Sequence, residues 1–329
     1  MIIARPFLKW AGGKHRVVSE LLKIVDESSP LGCQWKVGSG ERYHEPFLGS
    51  GAMFFGLKKS GFIQTKHYSY LSDLNPALIN TMRVVKDGEL LERVIKTLNS
   101  WQEEYGREGP VPKNSTQTER EAGMYYRKRE QLNGYLGRQG VLNDSARVEF
   151  AALMIFLNKT CFNGLWRMNR KGLFNVPEGD YVKPRNICQE GLLRSCNQLL
   201  KSTMIKKMDW KDSLKPKHTK PGDLVYLDPP YMPLKIEDQV FNSYYTEGFT
   251  IDDQEDLAKE AARAASRGVR VIASNHDALG EPTIRKIWEN AAADAGCRNK
   301  IERIRVTRNI SCKGHGRIKV NEVLIFLNQ

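Results

Sequence analysis

Short apolar runs closed off by polar or glycine residues recur at both ends of the chain. RYHEPF (42–47), HYSYLSD (67–73), LVYL (224–227, opened by Gly222 and Asp223), RVIASN (270–275) and NEVLIFLN (321–328) each read as a strand. GAMFFGLKKSG (51–61) reads as a short helix between the first two strands. DDQEDLAKEAARAASRG (252–268) reads as a longer one, with acidic residues in its first turns and Gly268 as a stop. This alternation predicts an α/β fold with a mostly parallel sheet covered by helices on both faces. The middle differs. From Asn75 to about Asn186 the periodicity is largely helical, broken by the polar stretch YGREGPVPKNSTQT (105–118) and by a Gly/Asn-rich stretch at 158–180. Residues 1–74 and 187–329 are therefore expected to form one domain, with 75–186 inserted as a second and 105–118 as an exposed loop.

Charge changes the picture most. The 329 residues carry a formal charge of +13 with a pI near 9.4, an excess that suits a polyanionic partner or, more simply, a soluble basic surface. No apolar run approaches the ~18 residues of a membrane helix. The N-terminal MIIARPFLKW is too short in apolar residues for a secretory signal. The six cysteines (Cys33, Cys161, Cys188, Cys196, Cys297, Cys312) are scattered without a C-x-x-C pair, which argues against a zinc site or a disulfide framework. A cytoplasmic protein with no metal is expected.

Three motifs carry candidate chemistry. FLKWAGGKHR (7–16) sets Gly12-Gly13 before Lys14 without the spacing of a phosphate-binding loop, so a tight turn before a helix explains it equally well. EPFLGSGAM (45–53) places Gly49 and Gly51 between a strand and a helix, where a ligand can approach the backbone at the helix's positive end. Phe54 stands where a dinucleotide fingerprint has its third glycine, so NAD fits poorly. Asp73 follows Gly51 by 22 residues at the end of the next strand, where a carboxylate can accept from ribose hydroxyls. Finally, the strand at 224–227 runs into Asp228-Pro229-Pro230-Tyr231. Two prolines fix φ and remove donors, so neither strand nor helix continues. The result is a rigid turn flanked by a carboxylate and an aromatic ring.

Taken together and in order, FLKWAGGK, EPFLGSG, SDLNPALIN (72–80), NKTCFNGLWRMNRKGLFNVPEGDY (158–181), DLVYLDPPY, IASNHD (272–277) and VNEVLIF resemble the DNA adenine methyltransferase (Dam) family of the alpha group, over nearly the whole chain. The resemblance implies a Rossmann-like S-adenosylmethionine (SAM) methyltransferase domain with an inserted, mostly helical DNA-recognition domain containing a β-hairpin. It implies Asp228, Pro229, Pro230 and Tyr231 as the catalytic motif. Trp10, Lys14, Glu45, Phe47, Gly49, Gly51, Asp73 and Asp228 are implied in cofactor binding. Asp209 in KKMDW matches a weaker motif and is equally a plain loop aspartate. Lys9, Leu165, Arg167 and Pro177 fall at positions that read the outer bases of GATC, with Phe162 as the wedge beside Asn163.

The residues agree with that implication. Segment 159–185 holds six basic residues (Lys159, Arg167, Arg170, Lys171, Lys183, Arg185) interleaved with Phe162, Trp166, Phe174 and Tyr181, which suits phosphate contact beside an unstacked base or, more simply, a solvated hairpin. A second basic run, 298–319, holds eight Lys/Arg against one Glu and reads as a phosphate track or as a charge-protected strand edge. The expected protein is a monomeric, SAM-dependent N6-adenine methyltransferase acting on double-stranded DNA. An RNA or N4-cytosine methyltransferase and a catalytically silent DNA-binding module are the alternatives. CQWKVGSGER (33–42) and the 105–118 stretch look longer than the family pattern and have no assigned role.

Overall fold

The computed structural model describes residues 4–10, 14–64, 66–112, 114–138, 140–180, 186–231, 249–277, 283–307 and 319–329. The chain divides into two compact units. A helical unit comprises Met1–Gly13, Gly49–Phe55 and Asn75–Lys201, and a sheet unit comprises Lys14–Leu48, Gly56–Leu74 and Ser202–Gln329.

The sheet unit is built on seven strands: β1 (Tyr43–Glu45), β2 (Ser69–Asp73), β3 (Thr203–Lys207), β4 (Leu224–Leu227), β5 (Arg270–His276), β6 (Arg298–Thr307) and β7 (Lys319–Asn328). Their order is β3-β2-β1-β4-β5-β7-β6. The first five pair in parallel, whereas β7 runs antiparallel between β5 and β6. Every residue of β4 and β5 is buried, as expected of parallel strands covered on both faces. The strand order turns back between β1 and β4, and in such sheets ligands bind beyond the carboxyl ends of the strands at that point.

The helices α1 (His15–Ser28), α9 (Trp210–Ser213), α10 (Ile251–Ser266) and α11 (Ile284–Ala295) belong to this unit; the numbering counts helices in chain order. The alanines of α10 let it lie close to the sheet. Ala258, Ala261, Ala262 and Ala265 are fully buried in a core with Val225, Val271, Ile325 and Trp288. The acidic start foreseen for this helix is a capping box, in which Thr250 and Asp253 satisfy each other's backbone N–H. The long segment 33–42 is clamped. The buried guanidinium of Arg270 donates to the carbonyls of Gln34, Lys36 and Gly222 and pairs with Glu41.

The helical unit contains α3 (Pro76–Lys86), α4 (Gly88–Glu108), α5 (Gln117–Ala122), α6 (Met124–Leu136), α7 (Asp144–Thr160) and α8 (Glu190–Leu200). The helix α2 (Ala52–Lys59) crosses the division between the units. The run FAALMIFL makes α7 apolar all round, and it is the buried centre against which α3, α4 and α6 pack. One expectation is corrected here. α4 continues to Glu108, four residues into the stretch expected to be loop, because Tyr105 is buried and donates to Glu178 Oε1 at 2.6 Å. After α7, antiparallel bridges Cys161–Glu178 and Met168–Phe174 form the hairpin. The helical unit runs on through α8 to Lys201. Among the described residues no helix is long and apolar enough to cross a membrane.

Candidate active site

Asp228 follows β4 at the point where the sheet order reverses. A fifth of its side chain is exposed. Its Oδ1 accepts from Ser274 at 3.0 Å and lies 3.0 Å from the Lys14 ammonium. Tyr226 Oη is 2.8 Å from Ser274 Oγ, so β4 and β5 together orient the carboxylate. Oδ2 makes no hydrogen bond among the described residues. Burial pushes the Asp228 carboxyl above the ordinary aspartate range, while the Lys14 charge and the hydrogen bonds from Lys14 and Ser274 pull it back.

The double proline is held from one side. Buried Gln254 of α10 donates to the Pro230 carbonyl at 2.8 Å, and its own oxygen accepts from Asn275 at 3.0 Å. The Pro229 carbonyl has no partner among the described residues. Tyr231 is fixed at its hydroxyl, which accepts from Lys14 and donates to Glu322 Oε2 at 3.0 Å. Its ring meets His276 edge-on with centroids 4.6 Å apart. Glu322 lies opposite His276 in the β5–β7 register, is 3% exposed, and sits 3.6 Å from Lys14 Nζ. One buried lysine thus links two carboxylates and a phenol, all at the carboxyl end of β4 and β5.

The other acidic candidates cap neighbouring strands. Glu45 ends β1, is buried, and accepts from Tyr43 Oη at 2.7 Å. Asp73 ends β2 and is half-exposed. Phe47 stacks on Trp210 at 6.4 Å and meets Phe249 edge-on at 5.9 Å. Asp209 caps α9, its carboxylate accepting from Lys211 N at 2.8 Å. This cap leaves both readings of Asp209 in place.

In the helical unit, Gly49 and Gly51 both have left-handed backbone, with φ of 49° and 72°. A Cβ on Gly49 would come within 3.0 Å of the Trp10 ring. Trp10 stacks on Trp166 at 5.9 Å, and Trp166 touches Phe174 at 5.1 Å. Lys9 is exposed at its side chain but clasped at its backbone. Buried Asn158 of α7 accepts from Lys9 N and donates to Lys9 O, each at 2.8 Å, and also donates to Gly164 O. A Cβ on Gly164 would overlap Lys9 Cδ at 2.4 Å. Only glycine fits there.

The hairpin brings the remaining candidates together. Phe162 is 41% exposed, its N–H bonded to Pro177 O at 2.9 Å, and Asn163 next to it has φ of 55°. Pro177 is exposed, and Leu165 and Arg167 are half-exposed. Arg167 Nε donates to Asn175 Oδ1 at 2.8 Å, while Asn175 N donates to Arg167 O at 3.1 Å across the hairpin. Gly12, Gly13, Tyr181, Lys183, Arg185 and residues 308–318, with Cys312, lie outside the described residues. Within the described part of the second basic run, β6 is an edge strand, and its Arg303 pairs with Asp277.

Glu322, Ser274 and Gln254 were not singled out from the sequence. A lone acid opening the apolar run EVLIFLN was the available signal for Glu322, since an unpaired buried carboxylate is costly.

A parallel sheet of this order closed by an antiparallel β7, with an Asp-Pro-Pro-Tyr turn at its switch point, has the Rossmann-like fold of SAM-dependent methyltransferases. A family model described as D12 class N6 adenine-specific DNA methyltransferase matches residues 10–308, and the chain belongs to that family. It is 34% identical over 317 residues to the type II methyltransferase M.MjaIII of Methanocaldococcus jannaschii, covering 95% of each chain. It is 31% identical over 321 residues to a DNA adenine methylase of Vibrio cholerae, covering 97% of this chain and 95% of the relative. A DNA adenine methylase of Escherichia coli is 30% identical over 323 residues, covering 97% of this chain and 94% of the relative. The protein is an adenine-specific DNA methyltransferase. Its substrates are therefore DNA and the methyl donor SAM.

Proposed function

We propose that the enzyme methylates the N6 amine of an adenine extruded from double-stranded 5′-GATC-3′, acting as a monomer. The observation that carries the catalytic part is the division of acceptors at the Asp-Pro-Pro-Tyr turn. Asp228 Oδ1 is occupied by Lys14 and Ser274, and the Pro230 carbonyl by Gln254. Asp228 Oδ2 and the Pro229 carbonyl remain for the two N–H groups of an exocyclic amine. That amine is a poor nucleophile because its lone pair is delocalised into the ring. Two acceptors held in place favour a pyramidal nitrogen, which is orientational and electrostatic catalysis. The carboxylate, its basicity raised by burial, then takes the proton that the alkylated nitrogen gives up. Tyr231, anchored at its hydroxyl, offers a fixed ring face on which the extruded base stacks.

SAM supplies a methyl group on a sulfonium, so no covalent enzyme intermediate is required. The residues fit such a ligand: left-handed Gly49 and Gly51 that bare the backbone between β1 and α2, and a carboxylate at the end of β2 suited to ribose hydroxyls. We assign cofactor binding to Lys14, Glu45, Phe47, Asp73, Asp209 and Asp228 of the sheet unit, and to Trp10, Gly49 and Gly51 of the helical unit. Lys9, Leu165, Arg167 and Pro177 read the flanking bases, and Phe162 with Asn163 fills the gap left by the adenine. Exposure of Phe162 and Pro177 on one hairpin, joined by a backbone hydrogen bond, supports this reading.

Methylating a plasmid library and mapping the modified bases tests the proposal. N6-methyladenine confined to GATC is expected; N4-methylcytosine, or adenine in another sequence, would overturn it. Lys14→Met gives a second test. Lys14 opposes the burial of Asp228 most strongly, so its removal leaves burial and the Glu322 charge opposed by the Ser274 hydrogen bond. The acid limb of the pH–rate profile, already above the ordinary aspartate value of about 3.9, is expected to move up by about 1–3 pH units. A limb that stays in place would dissociate Asp228 ionisation from catalysis.

A further inference from the structure

A cleft of about 530 Å³ opens on the helical unit, lined by none of the residues assigned above. Arg93 and Lys96 of α4, Lys128 of α6 and Ser145 of α7 line it, with Trp101 as part of its wall. The three cations form no salt bridge among the described residues. Glu149 also lines the cleft and accepts from Tyr135 Oη at 2.7 Å, while Glu104 and Glu108, which with Glu149 attract Lys128 from nearby, both pair with Arg127. Arg93 is steadied by a hydrogen bond to Ser145 Oγ at 2.8 Å, which leaves the Ser145 proton available to donate. Lys128 Nζ sits 3.9 Å from the centre of the Trp101 ring. Burial lowers the Lys128 pKa, a cost that a bound anion would offset.

We infer that this cleft binds phosphate groups. Three cations against one lining carboxylate, with a hydroxyl donor and a concave wall, provide net positive charge and hydrogen bonds for a tetrahedral oxyanion. The phosphate can come from DNA or from a free nucleotide. Ser145 lies near the start of α7 and the hairpin follows its end at Thr160, so the cleft is about 22 Å from the hairpin along that helix. At about 3.4 Å per step, that corresponds to about six base pairs beyond the sequence read by the hairpin. The DNA source rests on the function proposed above; the free source does not.

The test compares the full chain with Lys96→Gln and Lys96→Gln/Lys128→Gln, checked for an unchanged thermal midpoint. Each is titrated with tripolyphosphate, with a GATC duplex of about 12 base pairs, whose flanks are too short to reach the cleft, and with one of about 30. A loss of about tenfold or more for tripolyphosphate, growing from the single to the double variant, establishes the phosphate site and a free ligand. A loss confined to the long duplex, with a salt slope shallower by about 0.9 per lysine removed, establishes flanking DNA as the source. If neither probe separates the variants from the wild type, the cleft is not a phosphate site. A wild-type chain that methylates neither duplex refutes the proposed GATC activity, and the tripolyphosphate titration still decides the cleft.

Discussion

Asp228→Ala is expected to lower methyl transfer by about 10³-fold or more while leaving DNA affinity within a factor of about two. The mutation removes the Oδ2 acceptor, the charge that Lys14 neutralises and the partner of Ser274. Among the described residues Lys14 then keeps Glu322 and the hydroxyl and ring of Tyr231, so the cluster loses its excess of negative charge and becomes neutral. No phosphate contact is lost, because Asp228 is an anion buried beside β4 and β5. The measurement pairs single-turnover methylation with equilibrium binding of a GATC duplex. Asp228→Asn refines it: the amide keeps the shape and one acceptor oxygen but loses the charge. A residual rate for the asparagine variant well above that of the alanine variant would assign the difference to orientation. If Asp228→Ala retained a tenth of the wild-type rate, the turn would be a scaffold and the acceptor would lie elsewhere.

The parts of this site that were legible in the sequence are the local ones. Asp228, the two prolines and Tyr231 are adjacent, and the rigidity of that turn follows from proline chemistry alone. The parallel sheet was legible because β4 is a continuous apolar run, β5 carries the apolar core Val271–Ala273 and α10 has its own capping signal. What the sequence hid is the set of groups that hold the turn. Tyr231 reaches Glu322 across 91 positions and Lys14 across 217, and nothing in either local pattern announces the pairing. Gln254 was hidden differently. It lies in the polar first turns of an amphipathic helix, where an amide ordinarily faces water. It is 1% exposed because the Pro230 carbonyl and Asn275 need a buried partner. The length of α4 escaped for a similar reason: a polar, glycine-containing stretch stays helical because one tyrosine is anchored on Glu178, 73 positions away.

Arg167→Ala is expected to cost about 1–3 kcal/mol at one base position of the recognised sequence and to relax discrimination there. Its guanidinium is held in place before DNA arrives. Nε is committed to the Asn175 side chain, Nη2 donates to the Asn175 carbonyl at 3.4 Å and the backbone is paired across the hairpin, which leaves Nη1 and the second Nη2 hydrogen for the O6 and N7 of a guanine. A fork fixed in this way loses less entropy on binding than a solvated lysine would, and it selects by geometry. Arg305 is the control. It is exposed on the edge strand β6 and has only its charge to offer. Neutralising it should weaken all sequences alike and reduce the salt slope by about 0.9, the release of one counterion. The experiment measures methylation of GATC and of each single-base variant at two salt concentrations for both mutants. Arg167→Ala should narrow the gap between GATC and variants at a single position, and Arg305→Ala should leave every gap unchanged. If Arg167→Ala depressed GATC and its variants in equal proportion, Arg167 would be a phosphate contact, and the assignment of GATC would lose the residue that best accounts for reading a guanine.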